Sequence, residues 1–259
     1  MNLQLQHKKA IVTGGSAGIG LAVARLLAEE GAEVIIPGRN GKKLQGAISS
    51  MPGAVRGVEA DLSTVDGARK LIEAVPDADI LVNNLGIYES KAFTEITDAD
   101  WLHYFEVNLL SGVRLSRHYL PGMLQRNEGR VIFVSSEAAA ETHPDMIHYG
   151  VTKTGQLALS RGLAEMTKGT KVTVNSVLPG PTRSEAIVEF LQKQASIPHA
   201  TPAQAEKEFF EKGRPTSLLQ RMAEDSEVAT LIAYLASPLS AATNGAALRC
   251  EGGILRNIL

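Results

Sequence analysis

Thr13-Gly14-Gly15-Ser16-Ala17-Gly18-Ile19-Gly20 decides how this chain is read, because of what stands on either side of it. Before it, Ala10 to Thr13 is an apolar run of strand length. After it, Ile19, Ala22, Val23, Leu26 and Leu27 recur at i, i+3, i+4, i+7 and i+8, which is one face of a helix. Gly31 then ends that helix. Glycines alone also serve ordinary tight turns. Between a strand and a helix they do something more specific. They let the backbone approach a pyrophosphate, while the helix N-terminus supplies amide donors and a positive dipole. The stretch predicts a dinucleotide contact surface made by Gly14, Ser16, Gly18, Ile19 and Gly20.

The same alternation continues outward. Val34-Ile35-Ile36 reads as a second strand and Val55 to Glu59 as a third. Ile80-Leu81-Val82, Val131 to Val134 and Val172 to Val177 follow, with Ala246 to Leu248 as a short last one. Helical patterns lie between nearly all of them. Fully apolar strands alternating with helices predict an α/β protein with a parallel sheet covered on both faces. Right-handed crossovers make it a doubly wound sheet of about seven strands, a Rossmann fold. With 259 residues and 44% hydrophobic content, one domain over residues 1–259 is expected.

Between Pro179-Gly180-Pro181 and about Glu224 no strand is expected. Ile187, Phe190 and Leu191, then Phe209 and Phe210, suggest two short amphipathic helices separated by Pro198 and Pro202. An excursion of this length after a strand end predicts a helical substrate lid over 181–223. A surface decoration or subunit contact is an equal reading. The lid's apolar residues point to a partly hydrophobic substrate.

Composition narrows the function. A net charge of -2 gives no bulk attraction to nucleic acid or membrane. The single cysteine, Cys250, excludes an internal disulfide and argues against a cysteine metal site. No apolar run approaches the roughly 20 residues that span a bilayer. The start, MNLQLQHKKA, has no apolar core of a secretory leader, so a cytoplasmic protein is expected. His143 and His148 are not at a helical metal spacing, and no metal is expected.

At the end of the second strand a carboxylate would accept the ribose hydroxyls of NAD and repel a 2′-phosphate. This chain reads Ile36-Pro37-Gly38-Arg39-Asn40 there. Arg39 offers a bidentate partner for a phosphate, which predicts NADP over NAD.

Tyr149 and Lys153 are four apart in a stretch, Met146 to Thr167, that reads as helical, so they share a face. Alone the pair is weak evidence. Ser135-Ser136 at the end of the fifth strand changes its weight, because ligands sit at strand carboxyl ends in open α/β sheets. Reducing a ketone needs a proton donor at the nascent alkoxide, and oxidation needs a base there. A lysine cation about 4 Å away contributes roughly 4 kcal/mol at an effective dielectric of 20. That would bring a phenol down by about 3 pK units, close to neutrality, before any opposing desolvation. Ser136 would hydrogen-bond the reacting oxygen.

These pieces together resemble the short-chain dehydrogenase/reductase family, over nearly the whole chain. The resemblance rests on Thr13 to Gly20, Asp61-Leu62 and Asn83-Asn84-Leu85-Gly86. It continues with Asn108, Ser136, Tyr149-x-x-x-Lys153, Asn175 and Pro179-Gly180, in that order. It implies hydride transfer between NADP(H) and a small-molecule carbonyl or secondary alcohol. Tyr149 would be the acid/base, with Lys153 lowering its pKa and holding the nicotinamide ribose. Ser136 would orient substrate, and Asn108 would help a water relay protons to Lys153. Asp61 and Leu62 would meet the adenine, Asn84 and Gly86 the adenosine side, and Gly180 with Thr182 or Ser184 the carboxamide or phosphate. It also implies a homo-oligomer, tetramer or dimer. The apolar tail containing Ile254, Leu255, Ile258 and Leu259 would suit packing on a neighbour.

The chain departs from the family at Leu85, where alanine is usual, and at Gly38-Arg39, where NAD-type members carry an acid. Two other functions fit the residues less well. A serine hydrolase needs a G-x-S-x-G elbow, which is missing around Ser135 and Ser136. An NADP-binding sensor without turnover would have no use for Ser136, Tyr149, Lys153 and Asn108.

Overall fold

The computed structural model describes the backbone of residues 2–258, and the side chains of all of these except 185 and 186. Leu259, the last residue of the apolar tail, lies outside the described residues. Seven strands are β1 (Lys9–Val12), β2 (Glu33–Gly38), β3 (Val55–Glu59), β4 (Ile80–Asn83), β5 (Gly129–Val134), β6 (Val172–Pro179) and β7 (Ala247–Cys250). They form one parallel sheet in the order β3-β2-β1-β4-β5-β6-β7. The order runs outward from β1 to β3 on one side and from β4 to β7 on the other. The reversal between β1 and β4 is the switch point where an open α/β sheet takes its ligand.

Successive strand residues point to opposite faces, and the core divides accordingly. On one face Ala10, Val12, Ile36 and Val82 pack with α1 (Gly18–Glu29), α2 (Gly41–Ser49) and α9 (Asp225–Ala236). On the other, Ile11, Ile35, Leu81 and Phe133 pack with α3 (Val65–Ala74), α5 (Ser111–Arg126) and α6 (Ile147–Glu165). The one-residue alternation within β1 thus serves both layers. Leu5, before the first strand, is fully buried in the first of these clusters.

The remaining helices are α4 (Asp98–Tyr104), α7 (Glu185–Gln194) and α8 (Pro202–Glu208). Two helices are extended by wide π turns, Phe105–Leu110 between α4 and α5 and Phe209–Gly213 after α8. The excursion after β6 is helical as expected, and it has a core of its own. Leu191, Ala200, Ala205, Phe210 and Met222 form a separate apolar cluster. Its two ends meet: Arg183 N donates to Ala223 O at 2.8 Å and Ala223 N to Pro181 O at 3.0 Å. Arg183 also donates to both carboxylate oxygens of Glu206, at 2.9 and 3.0 Å.

Part of the excursion's apolar surface is spent on that cluster, while Phe190 reaches Tyr88 and Leu218 stays exposed. One expectation needs correction. In the tail, Ile254 and Leu255 are buried within the chain at 2% and 7% exposure, because Glu251 turns inward and accepts both of their backbone amides. Of the described apolar tail residues, Ile258 alone is exposed.

Candidate active site

The glycine-rich turn ends β1 at the switch point. Gly14 has φ +65°, a conformation that costs a side-chain-bearing residue. A Cβ on Gly20 would fall 2.3 Å from the Gly14 carbonyl oxygen, so the helix could not start so close to the strand. Ala17, the residue before α1, has no side chain to cap the helix. The first amides of α1 therefore keep their donors and dipole for an anion. A pyrophosphate fits this cradle.

Thr13 and Asn84 join the turn to β4. Thr13 Oγ1 donates to Val82 O at 3.2 Å and accepts Asn84 N at 2.8 Å and Leu85 N at 2.9 Å. The Asn84 amide donates to Thr13 O at 2.9 Å. Asn84 is thus a brace of the turn as well as a candidate cofactor contact. Leu85 leans on the apolar layer beneath the sheet.

Arg39 is exposed and lines an open groove of about 570 Å³ with Glu59, Asp61, Arg69 and Lys70. The Asp61 carboxylate accepts from Ser63 N and Oγ at 3.1 and 2.7 Å. Leu62 is buried and packs in the apolar layer with Ile35 and Leu81, away from the groove's lining. The sequence reading missed Glu59. It pairs with Gly38 across β2 and β3, so a carboxylate does stand beside the end of β2, contributed by the next strand. Only strand register could have shown it.

At the other end, β5 delivers Ser135 and Ser136, and the first turns of α6 deliver Tyr149 and Lys153. Ser135 Oγ donates to Lys153 O at 2.9 Å, fixing α6 against the strand end. Lys153 Nζ is buried and donates to Val134 O at 2.9 Å and to Gln156 Oε1 at 3.4 Å. It stands 5.6 Å from the Tyr149 ring centroid. The Ser136 hydroxyl faces the Tyr149 phenol. A Cβ on Gly86 would lie 3.3 Å from Lys153 Nζ and 3.5 Å from Asn108 Oδ1, which brings those three residues together.

The electrostatics differ from the expectation. Burial pushes the Tyr149 phenol above the ordinary tyrosine range, and the negative charge of Glu137 adds to the rise, while Ser136 opposes it. Burial pushes Lys153 down to about 8. The lowering expected from a lysine about 4 Å from the phenol does not arise from the protein's own groups, because desolvation dominates both. The ammonium is also turned to a backbone carbonyl.

Asn108 lies in the π turn Phe105–Leu110. Its side chain accepts Ile87 N at 2.8 Å and donates to Ile87 O and Thr152 Oγ1, each at 3.0 Å. Its carbonyl, released by the wide turn, accepts from Gln156 Nε2. A side-chain amide thus holds that carbonyl beside Lys153. Gln156 gave no signal in the sequence.

Glu137 and Arg214 were not singled out by sequence as a pair. Ser136 Oγ donates to Glu137 Oε2 at 2.7 Å, and Arg214 reaches Glu137 Oε1 at 3.7 Å from the lid. Both are nearly buried, with side-chain exposures of 8% and 13%. On the lid side of the site, Tyr88 stands edge-on to Tyr149 and to Phe190 of α7, at 6.4 and 6.3 Å between centroids. Ser184 caps α7 by accepting Ile187 N at 3.3 Å, and its Cβ comes within 3.7 Å of where a Gly18 Cβ would be. The Thr182 hydroxyl instead donates to Gly180 O at 2.9 Å. Asn175 is structural: it ties β6 to the start of β7 through Thr243 O and Ala246 N. Trp101 and Phe105 stack on each other at 6.4 Å, as packing residues.

Comparison with known proteins agrees with this geometry. The short chain dehydrogenase family model matches residues 8–195. The uncharacterized oxidoreductase YvaG of Bacillus subtilis is 47% identical, over the full length of both chains. The 3-oxoacyl-[acyl-carrier-protein] reductase FabG of Vibrio cholerae is 30% identical, covering 97% of this chain and 99% of its own. L-sorbose reductase from Gluconobacter frateurii, solved in complex with NADPH and L-sorbose, superposes with a TM-score of 0.94 at 28% identity over 100% of both chains. With the phosphate turn, the Ser136–Tyr149–Lys153 cluster and a family match across most of its length, this chain belongs to the short-chain dehydrogenase family and is an oxidoreductase.

Proposed function

We propose that the protein transfers hydride between NADP(H) and the carbonyl or secondary alcohol carbon of a small molecule, with Tyr149 as general acid/base. The observation that carries this is the meeting of Ser136, Tyr149 and Lys153 at the carboxyl ends of the strands, beside the uncapped start of α1. NADP(H), when bound, supplies the hydride. The chain's own residues supply the proton and the positions. Tyr149 gives its proton to the nascent alkoxide in reduction and takes it back in oxidation. Ser136 orients the reacting oxygen. Lys153 has one N–H on Val134 and one toward Gln156, leaving its third for the nicotinamide ribose.

Arg39 supports NADP, as the exposed guanidinium at the end of β2 facing the groove. The L-sorbose reductase relative carries NADPH. Gly14, Ser16, Gly18, Ile19 and Gly20 would cradle the pyrophosphate, with Asp61, Leu62, Asn84, Gly86 and Gly180 along the rest of the dinucleotide. Ser184 is the better placed of the two hydroxyls after Gly180, because it overhangs Gly18. The segment 181–223 acts as the substrate lid of one domain. A cytoplasmic homo-oligomer completes the proposal, supported for assembly by exposed Leu102, Met166 and Leu218.

The test is NADPH oxidation with a panel of ketones, comparing wild type with Tyr149→Phe. Turnover in wild type and its loss in the variant support the reading. NADPH binding with equal, negligible turnover in both overturns it in favour of a sensor.

A further inference from the structure

Given the oxidoreductase reading above, on which this inference rests, we infer that the substrate is a neutral α-hydroxy ketone or vicinal diol, and that Glu137 and Arg214 hold the hydroxyl beside its reacting carbon. Hydrogen-bond supply and charge lead to it separately.

Ser136 sets the first requirement. Its Oγ accepts from Ala138 N at 3.1 Å and donates its single proton to Glu137 Oε2 at 2.7 Å. To orient a substrate oxygen, Ser136 must turn that proton away from Glu137. Glu137 is 6% exposed, so little water reaches the carboxylate oxygen that is vacated. A buried carboxylate left short of a donor is costly. A substrate that brings its own hydroxyl removes that cost. Ser136 Oγ and Glu137 Oε2 are bonded neighbours, so the reacting oxygen and the replacing hydroxyl stand side by side, as oxygens on adjacent carbons do.

Arg214 supplies the second hold. Its Nη2 lies 3.7 Å from Glu137 Oε1, beyond a direct hydrogen bond. The guanidinium is fixed in place, 5.2 Å over the Phe209 ring centroid, with Nη1 donating to Gly213 O at 2.9 Å. Its Nε is buried and has no hydrogen-bond partner among the described residues. A donor in want of an acceptor thus stands beside an acceptor in want of a donor. A hydroxyl does both at one oxygen. Placed about 2.8 Å from each group, it joins the pair without lying between them.

The charges select against the other substrate classes. A carboxylate or phosphate drawn to Arg214 meets Glu137 at the same place, where like charges repel in a site of low exposure. An apolar group leaves both Glu137 Oε2 and Arg214 Nε without partners.

The experiment measures kcat/KM for NADPH-dependent reduction of acetoin, butanone and α-ketobutyrate by the full-length protein, in wild type, Glu137→Leu, Glu137→Gln and Tyr149→Phe. The three ketones have equal chain length. Beside the carbonyl they carry a hydroxyl-bearing carbon, a methylene and a carboxylate. Wild type should prefer acetoin over butanone by about 10²-fold, the worth of a hydrogen bond to a charged group. Glu137→Leu should bring that ratio close to one. It also leaves Arg214 uncompensated, so α-ketobutyrate should gain on acetoin by about 10-fold. Comparing ratios between variants cancels the intrinsic reactivity of each ketone. A wild-type ratio near one overturns the inference, as does an unchanged ratio in a Glu137→Leu protein that binds NADPH. If Glu137→Leu does not bind NADPH, Glu137→Gln decides. It keeps an acceptor and loses the charge, so α-ketobutyrate should again gain about 10-fold on acetoin, and an unchanged ratio overturns the inference. Absence of Tyr149-dependent turnover with any of the ketones overturns the oxidoreductase mechanism itself. Tyr149-dependent turnover that ignores the neighbouring hydroxyl overturns only the substrate class.

Discussion

Thr13 and Asn84 are joined reciprocally: the Thr13 hydroxyl accepts the Asn84 backbone amide at 2.8 Å, and the Asn84 side-chain amide donates to the Thr13 carbonyl at 2.9 Å. The hydroxyl also takes Leu85 N. Thr13→Val keeps the shape and removes the acceptor from two backbone donors. Each stranded donor costs about 1–3 kcal/mol. A loss of about 2–4 kcal/mol in urea-unfolding stability is expected, with weaker NADPH binding by fluorescence titration. Unchanged stability would mean that water replaces the hydroxyl.

Arg39→Asp puts a carboxylate where a 2′-phosphate would sit, next to Glu59. The ratio of kcat/KM for NADPH over NADH should fall by about 10²-fold, in line with losing a charge-assisted bidentate contact and adding repulsion. An unchanged ratio removes Arg39 from cofactor selection.

Lys153 gives a prediction about pH. Its folded pKa of about 8 lies below the ordinary 10.5. Between these values the unfolded chain binds a proton that the native protein has given up, so this group makes stability rise with pH across that window. Below pH 8 the full cost of the buried charge is present. Lys153→Met keeps the volume and removes the charge and one hydrogen bond. Stability near neutral pH should increase by about 1–3 kcal/mol, and the upward slope above pH 8 should flatten, while turnover is lost. A less stable variant at neutral pH would show that the ammonium's contacts outweigh its burial.

Phe190 holds Tyr88 edge-on over Tyr149 from the lid. Phe190→Ala should raise KM for the carbonyl substrate more than it lowers kcat, because it loosens the cover and leaves the proton donor alone. A kcat effect alone would place Phe190 in the chemical step.

The sheet was legible because most strands are apolar runs bounded by helix periodicity, so errors stayed within one or two residues at strand ends; β3, with Arg56 and Glu59, and β7, with Arg249, carry the weaker pattern of the sheet's edges. Tyr149, Lys153, Ser136 and Asn108 were legible as an ordered set of motifs. What escaped depends on tertiary position. Glu59 matters through its register with Gly38. Gln156 matters through a π turn that frees one carbonyl. Arg214 matters because a lid segment folds back over residue 137. Side-chain identity at those positions carries no periodicity, and the depression of the Tyr149 pKa argued from spacing failed because desolvation depends on burial that spacing does not reveal.

The meeting of Pro181 and Ala223 at the base of the excursion has a consequence for how such a protein can change. The excursion begins and ends at one place on the scaffold, with further holds from Leu218 and Leu219 on Gly252 O and from Arg214 on Glu137, and the inserted segment brings its own apolar centre. Exchanging that segment for a longer or shorter one would cost the scaffold little, since closure entropy grows only with the logarithm of length. The excursion is in effect a socketed cassette, whose length and composition can vary while the glycine-rich turn and the frame of the sheet stay as they are.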